Sequence, residues 1–415
     1  MKKYNLIVAG GGLSGVAAAV SAARAGLEVL LVEKSGCLGG AMSNCLVYPF
    51  MPYWTEMDGK KEYLSAGIFE EMRKRQNEYE TSKSDMNFKP EYFKLVLDDM
   101  VNEAKIDVLY HAVIFGVNTD ERQIKSVNIA LKSGPLTAEA DFFVDATGDG
   151  DLFAFAGCDY QTGRDNDGLC QPMTTCFRMS GVDVEMYKKE RSALQELYKN
   201  YRKEGKIENP REDILTFLGI GEGIVHFNTT RIVKLDPTNP FDVSKAESMA
   251  RKQIHEIVKF LKDNSKAFAN SSIISVASDI GVRESRKLKG VHILTAEELK
   301  DCTKFEDSIA LGNYDIDIHN PSGSGTSHYY FKDGEFYTIP YRSLLPKEFD
   351  NMLVAGRCIS ATHEAQASVR IMPICCCMGE AAGTAIGVAY NSGTNLHNVD
   401  VNEVQTILVS NGAKL

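Results

Sequence analysis

The first forty residues contain the feature that most restricts how this chain can fold. An apolar segment from Tyr4 to Ala9 is followed by the glycine pattern G-x-G-x-x-G at residues 10–15 and then by an alanine-rich stretch. A second apolar segment ends at Val32, and Glu33 follows it directly. This order of strand, glycine turn, helix, strand and acid, with about 20 residues between the glycines and the acid, predicts a dinucleotide-binding unit.

Each residue type in this unit has a physical reason. Gly10 allows the tight turn, Gly12 lets a diphosphate approach the backbone, and Gly15 lets the helix lie close to the strand. The start of the helix offers free N–H groups and the positive end of its dipole to phosphates. Glu33 is placed to accept hydrogen bonds from a ribose. We therefore predict that these four residues bind a cofactor.

The size and charge of the chain narrow its possible partners. With 415 residues it is long enough for two domains. Its net charge of −10 argues against nucleic acid or an anionic membrane as a partner. A small anionic substrate remains open, because a local group of arginines can outweigh the overall charge. No apolar run approaches the roughly 18 residues of a membrane span, so we predict a soluble, cytoplasmic protein.

The sequence contains no pattern typical of a metal site. The ten cysteines form no C-x-x-C pair. Neither His-Glu dipeptide, His255-Glu256 or His363-Glu364, is part of an H-E-x-x-H motif. We therefore predict that the protein binds no metal.

Apolar periodicity and turn residues predict the further elements. A polar, glycine-rich loop is expected over 312–327. Strands are expected near 107–117, 125–132, 136–145 and 352–356, and helices over 61–78, 91–104, 182–204, 242–263 and 378–388.

Four longer segments carry a resemblance to a known family. They are VDATGDGD (144–151), IGVRESRKLKG (280–290), IPYRSLLP (339–346) and NMLVAGRCISATHEAQASVRIMPICCCMGEAAG (351–383). With the N-terminal unit, they make the chain resemble the FAD-dependent oxidoreductases that have a nucleotide domain of the glutathione-reductase type. The architecture also looks related to the fumarate reductase and aspartate oxidase flavoproteins.

The resemblance implies a fold and a cofactor site. The fold class is α/β, with a Rossmann-type FAD-binding domain (a parallel sheet with a β-meander insertion) and an α+β substrate or cap domain. It implies that a helix starting near Met378 and Gly379 directs its N-terminal amides at the flavin. Besides the four motif residues, it implies that FAD contacts Lys34, Gly39, Gly40, Val113, Thr147, Gly148, Asp149, Gly356 and Arg357.

The same resemblance suggests how the chain is divided. We expect the FAD-binding domain to be discontinuous and to comprise residues 1–42, 91–160 and 339–415. The substrate or cap domain is expected to comprise 43–90 and 161–338. The active site should then lie where the flavin meets the cap domain.

Candidate residues for the chemistry lie near the last glycine-ended strand. His363 can exchange protons near neutral pH, and Arg370 can bind a carboxylate through two parallel hydrogen bonds. We expect Arg283 or Arg342 to complete an anion clamp, and His226 and Arg231 to line the substrate cavity.

Three functions are compatible with these residues. The first is an FAD-dependent oxidoreductase that transfers a hydride between a small, possibly anionic, organic substrate and flavin N5. The alternatives are a non-catalytic flavin-binding sensor or assembly protein and an NAD-linked dehydrogenase. The sequence leaves the electron acceptor and the oligomeric state open.

Overall fold

The dinucleotide unit predicted at the N-terminus forms the centre of the largest sheet. The computed structural model describes residues 3–82 and 84–415, so Met1, Lys2 and Lys83 of the predicted domain segments lie outside the described residues. The strands are, in chain order, β1 (Tyr4–Ala9), β2 (Val29–Val32), β3 (Trp54–Met57), β4 (Lys60–Tyr63), β5 (Asp107–Leu109), β6 (Val113–Asp120), β7 (Gln123–Leu131), β8 (Gly134–Asp145), β9 (Tyr160–Thr162), β10 (Phe177–Ser180), β11 (Thr216–Phe217), β12 (Val225–Phe227), β13 (Ser272–Val276), β14 (Arg286–Leu288), β15 (Ser308–Gly312), β16 (Ile316–His319), β17 (Thr326–Tyr329), β18 (Tyr337–Pro340) and β19 (Met352–Val354).

Helices cover the sheets and connect their strands. Short 3₁₀ turns occur at Lys266–Phe268, Tyr341–Leu344 and Leu396–Asn398. The α-helices are α1 (Leu13–Arg24), α2 (Ile68–Tyr79), α3 (Pro90–Glu103), α4 (Asp151–Ala156), α5 (Val184–Lys203), α6 (Pro240–Asn264), α7 (Ala296–Lys300), α8 (His363–Val369), α9 (Met372–Ser392) and α10 (Val401–Ser410).

The large sheet combines a parallel part with a meander. Strands β5, β2, β1 and β8 are neighbours in that order and run parallel, and β19 pairs in parallel with the end of β8. The first half of β8 pairs instead with β7, which pairs with β6, and both pairings are antiparallel. The fold is therefore α/β with the expected parallel sheet and meander.

The large sheet and a four-stranded sheet draw their strands from different predicted segments. Every strand of the large sheet comes from the segments assigned to FAD binding. A four-stranded sheet, β11-β12-β10-β13, comes from segment 161–338 and has its own apolar core with α5 and α6. We retain the division into domains as a proposal.

Several predicted elements need correction. The helix predicted over 61–78 is the second strand of the β3–β4 hairpin followed by α2. The loop predicted over 312–327 contains the paired strands β16 and β17. Helix α9 begins at Met372, six residues before the predicted start. The helix predicted over 242–263 is confirmed as α6, although Asn239 caps its N-terminus.

Helix α9 is also the one described helix that is long and apolar enough to span a membrane, which the sequence analysis did not expect. In this fold 89% of its most apolar window is buried inside the protein. It packs across α1 so closely that a Cβ atom on Gly379 would lie 2.0 Å from the backbone oxygen of Ser14. Small residues at this crossing thus fix the start of α1 relative to α9.

A buried carboxylate on α9 gives the fold a pH-dependent contact. Glu380 is 2% exposed, and it accepts a hydrogen bond of 3.0 Å from the amide of Ile68 at the start of α2. Burial raises the pKa of Glu380 from its ordinary value of 4.5 to about 7. Its contribution to stability is therefore complete below pH 4.5 and is lost as the pH rises through 7.

We expect Glu380→Gln to remove this dependence, because glutamine keeps an acceptor for Ile68 and cannot ionise. Between pH 5 and 8 the free energy of unfolding of the unsubstituted protein should fall by about 3 kcal/mol more than that of the variant. Urea unfolding at several pH values measures this difference. If the free energies of unfolding of the two proteins fall in parallel with pH, Glu380 does not cause the pH dependence.

Candidate active site

The edge at which the parallel strands end carries a cradle for a diphosphate. Helix α1 begins directly after Gly12, and no side chain caps its first amides. The hydroxyl of Ser14 is buried beside them and has no hydrogen-bond partner. A buried donor without a partner is costly, and free amides at a helix start bind phosphate. The Ser14 hydroxyl and the α1 amides therefore fit the diphosphate of FAD.

Only glycine fits at the turn that forms this cradle. Gly10 has φ +96°, and a Cβ atom there would lie 2.6 Å from the backbone oxygen of Ala146. A Cβ atom on Gly15 would lie 1.8 Å from the backbone oxygen of Gly10. The strand, the turn and the helix could not pack this closely with any other residue at these two positions.

Three further glycines meet at Gly12 and Ser14. Gly39 pairs with Gly12 in a single parallel bridge. A Cβ atom on Gly40 would lie 3.0 Å from Cα of Gly12, and one on Gly356 would lie 3.2 Å from the Ser14 side chain. The structure thus brings the predicted residues Gly12, Gly39, Gly40 and Gly356 together around the start of α1.

Glu33 lies at the end of β2, beside the same turn. Its carboxylate accepts hydrogen bonds from the amides of Gly11 at 2.6 Å and Ser35 at 2.7 Å, and the residue is 4% exposed. Each carboxylate oxygen can accept more than one hydrogen bond, so ribose hydroxyls can still bind there. Val113, which is half exposed, begins β6 just after Ala112, whose amide donates to the Glu33 carbonyl.

A charged group closes the other side of the cradle. Asp149 and Arg357 form an ion pair of 2.6 Å, and Ser285 donates to Asp149 at 2.7 Å. Burial opposes ionisation of Asp149, but the charge of Arg357 outweighs burial and lowers the pKa of the carboxyl. Partial desolvation disfavours the charge of Lys34, but the charges of Asp149 and neighbouring acids outweigh it and raise the pKa of this lysine.

Asp145, at the end of β8, holds the loop to which Asp149 belongs. Its carboxylate accepts hydrogen bonds from the amide and hydroxyl of Thr147 and from the amide of Phe153. Gly148, with φ +78°, lies next to the Arg357 guanidinium. These contacts position Thr147 and Gly148 beside the cradle.

Met378 and Gly379 do not have the role expected of them. Because α9 begins at Met372, they lie in its second turn, and Met378 is fully buried. Gly379 packs against the backbone of Ser14. As a correction, the free amides of this helix belong to residues near Met372, and Gly379 supports the cradle from behind.

We expect Ser14→Ala to raise the dissociation constant of FAD about tenfold, because it removes one donor to the diphosphate. The stability of the apoprotein should not fall, since the hydroxyl has no partner within the protein. Titration of apoprotein with FAD measures the first quantity and thermal unfolding the second. Ser21→Ala, on the same helix, is the matched control and should bind FAD normally. Equal affinities for all three proteins would contradict the diphosphate assignment.

Helix α8 carries two of the predicted catalytic residues at its ends. Thr362 caps it by accepting a hydrogen bond from the Ala365 amide, His363 is its first residue, and Arg370 follows its last turn. The two candidates are therefore about two helical turns apart on one short, rigid element.

His363 belongs to a buried charge network. Its Nδ1 lies 2.7 Å from the Glu284 carboxylate, which also pairs with Lys287 and accepts from the Gln171 amide. Burial opposes ionisation of Glu284, but its hydrogen bond with His363 and the Lys287 charge lower the pKa. Glu284 is thus ionised at neutral pH and receives the Nδ1 hydrogen, which leaves Nε2 of His363 for proton exchange.

Arg283 and Arg370 both lie close enough to Asp317 and His319 on β16 for their charges to act on these two residues. Nη2 of Arg370 lies 3.5 Å from the carboxylate of Asp317, and its Nε has no partner. Arg283 is half-buried, and it donates to the Pro172 carbonyl at 2.8 Å. Burial and the neighbouring Arg370 charge lower the pKa of Arg283. Among the described residues, Arg283 has no ion-pair partner.

Arg342 does not join this group, and as a correction we remove it from the predicted clamp. Its side chain is 44% exposed, lies 3.7 Å from Asp307 and stacks over Phe305.

Arg231 is buried, and it donates to the carbonyls of Gly323 and Gly325. It therefore holds the loop between β16 and β17 in place.

Sequence reasoning missed Asp317 and His319, which lie 3.3 Å apart on β16 near the two arginines. Burial and the Arg283 charge lower the pKa of His319 well below its ordinary value, so this histidine is neutral at neutral pH. Their alternation along a strand is the available signal, but the glycines and serines of the same segment predict a loop.

Comparison with known proteins agrees with the cradle. The model of the FAD dependent oxidoreductase family matches residues 5–408. A search of curated proteins found no match.

Solved structures show only distant similarity. One is a geranylgeranyl bacteriochlorophyll reductase-like protein from Thermoplasma acidophilum, with 12% identity, coverage of 99% of this chain and 84% of that chain, and a TM-score of 0.46. The flavin-dependent brominase Bmp2 has 11% identity, coverage of 99% and 83%, and a TM-score of 0.47. The anhydrotetracycline hydroxylase OxyS from Streptomyces rimosus has 10% identity, coverage of 99% and 66%, and a TM-score of 0.47. Similarities at this level carry no argument about substrate or reaction. The family match, which spans nearly the whole chain, identifies the protein as a member of the FAD-dependent oxidoreductase family, with FAD as its cofactor.

Proposed function

We propose that this enzyme oxidises or reduces a small organic anion, with Arg283 and Arg370 binding the acidic group. The observation that carries the proposal is the pair of arginines itself. Arg283 has no carboxylate partner among the described residues, and Arg370 has a buried Nε without a partner. Two neighbouring guanidinium groups that are incompletely neutralised favour an anionic ligand between them. Membership of the family already favours this enzyme over a sensor or an NAD-linked dehydrogenase.

The residues of the chain divide the work between binding and proton transfer. When bound, FAD supplies hydride transfer at its N5 atom. Arg283 and Arg370 orient the substrate through its acidic group, which lowers the entropic cost of reaching a reactive geometry. His363 exchanges a proton with the substrate through Nε2, and Glu284 fixes the orientation of its ring.

A panel of ligands tests whether the substrate is an anion. Small carboxylic acids and their uncharged amides are added anaerobically to FAD-loaded protein, and the absorption of the flavin at roughly 450 nm is followed. We expect acids to shift or bleach the band at concentrations about 100-fold lower than the matched amides, because a charge-assisted, bidentate contact is lost in the amide. Equal concentrations for acids and amides, or no response to any acid, would contradict the proposal.

A further inference from the structure

Three buried polar side chains under the four-stranded sheet have no partner for their polar atoms. Arg178 is 7% exposed, His226 is fully buried and Tyr48 is 1% exposed. The atoms without a partner are Nε and Nη2 of Arg178, both ring nitrogens of His226 and the hydroxyl of Tyr48. A buried cation that lacks a counter-charge is among the most costly arrangements in a protein, so this group calls for a ligand.

The three side chains form one cluster. Arg178 on β10 stands directly opposite His226 on β12 in the antiparallel register. The ring centroids of Tyr48 and His226 are 5.6 Å apart, and Tyr48 also packs against Phe88. We call these three residues the Arg178 cluster.

The charge of the Arg178 cluster is positive. Burial and the Arg178 charge lower the pKa of His226 to about 3, so its ring is neutral. Burial raises the pKa of Tyr48, so its hydroxyl keeps its hydrogen. The carboxylate whose charge acts on Arg178 is that of Glu91, but its side chain is 73% exposed and pairs with Lys94. One cation and several hydrogen-bond donors therefore meet without an anion.

We propose that Arg178, His226 and Tyr48 bind an oxyanion, such as a carboxylate, sulfate or phosphate group, of the substrate. Nε and Nη2 form one edge of the guanidinium, which matches two oxygens of such a group. The Tyr48 hydroxyl donates to an oxygen as well. The ring of His226 supplies one further N–H in its neutral form.

The position of the Arg178 cluster links it to Arg283. Asn228 follows β12 two residues after His226, and its side chain lies 3.3 Å from Nη2 of Arg283. Thr174, four residues before Arg178, accepts a hydrogen bond from Nη1 of Arg283. Cys176 lies between Thr174 and Arg178 in sequence, and the charges of Arg178 and Arg283 both act on the pKa of its thiol. The two cationic centres therefore lie along the same part of the four-stranded sheet.

This inference extends the proposed function. That the bound oxyanion is part of the substrate rests on that function. A substrate whose acidic groups reach both Arg283 and the Arg178 cluster has an anionic group at each of two positions. The cluster then selects for the second group, and a ligand with one acidic group leaves the Arg178 charge buried and unpaired.

The test uses FAD-loaded protein, so that the diphosphate cradle is filled. The probes are sodium sulfate and sodium acetate, and each is compared with sodium chloride at the same ionic strength. Binding of a ligand to the native state stabilises it by RT ln(1 + [L]/Kd), so the unfolding temperature rises with the ratio of probe concentration to dissociation constant. We expect both probes to raise that temperature. Arg178→Met should raise the dissociation constant of each probe at the Arg178 cluster by at least about tenfold, so that only the response of Arg283 and Arg370 remains. Without either probe, Arg178→Met should be at least as stable as the unsubstituted protein, because it removes an unpaired buried charge.

Two variants accompany Arg178→Met. Tyr48→Phe keeps the ring contacts and should raise the dissociation constants of the probes at the Arg178 cluster about threefold to tenfold. It gives a second measurement if Arg178→Met fails to fold. Arg342→Met removes an exposed arginine elsewhere and should respond to the probes as the unsubstituted protein does.

Arg283→Met distinguishes this inference from the proposed function. If only Arg283→Met abolishes the response, the Arg178 cluster binds no oxyanion, and the inference is overturned while the Arg283–Arg370 clamp stands. If neither arginine variant changes the response, both the inference and the clamp are wrong. Normal probe binding by both Arg178→Met and Tyr48→Phe also overturns the inference.

Discussion

His363→Ala is expected to slow flavin reduction by the substrate about 100-fold or more while FAD stays bound. Loss of a positioned acid or base typically costs 10²–10⁴-fold in rate, as an order of magnitude. His363 is 4% exposed and is held by Glu284 at 2.7 Å, so bulk water has little access to its position. Anaerobic stopped-flow mixing with an acid that bleaches the flavin in the ligand panel measures the rate.

Two comparisons make this prediction specific. His292→Ala removes a half-buried histidine that, like His363, is paired with a glutamate, here Glu298 at 3.1 Å, and should leave the rate unchanged. Glu284→Gln should shift the pH profile of flavin reduction, because the ionised carboxylate that orients His363 is lost. Unchanged reduction kinetics in His363→Ala would remove this histidine from the mechanism.

Gly379→Ala is expected to destabilise the protein by at least about 3 kcal/mol and to weaken FAD binding. The added Cβ atom would lie 2.0 Å from the Ser14 backbone oxygen, so α9 and the start of α1 must separate. Alanine gains up to about 1 kcal/mol over glycine inside a helix, but this gain is smaller than the cost of the clash. Thermal unfolding and FAD titration of the same preparation measure both effects.

The same substitution at an open position is the control. Gly323 lies in the loop between β16 and β17, and a Cβ atom there would meet no atom within 4 Å. Gly323→Ala should change neither the unfolding temperature nor FAD affinity. A Gly379→Ala protein as stable as Gly323→Ala would show that the α1–α9 crossing does not fix the cradle.

The cofactor cradle could be predicted because its information is local in sequence. The glycines of residues 10–15 and the acid Glu33 occupy one strand–helix–strand unit, and a single crossover brings their ends together. The residues Gly39 and Gly356 came from the family resemblance, and the structure places them around the same helix start. Ser14, within the motif, needed the structure, because only its burial without a partner reveals a missing ligand.

The substrate side could be predicted only in part. Arg283 and Arg370 are brought together as expected, but Arg342 and the start of α9 were placed wrongly. The Arg178 cluster joins β10, β12 and a loop far away in sequence, and no local pattern encodes that register. Charged residues at 60–63 favoured a helix by composition, whereas cross-strand pairing in the β3–β4 hairpin determines their structure.

A crystal structure of the FAD-loaded protein tests the central claim most directly. We predict electron density for the FAD diphosphate within hydrogen-bonding distance of the Ser14 hydroxyl and the first amides of α1. The flavin ring should lie on the side of the cradle where Arg283, Arg370 and His363 meet. Density for the diphosphate away from residues 10–15, or a flavin ring remote from those three side chains, would contradict the account.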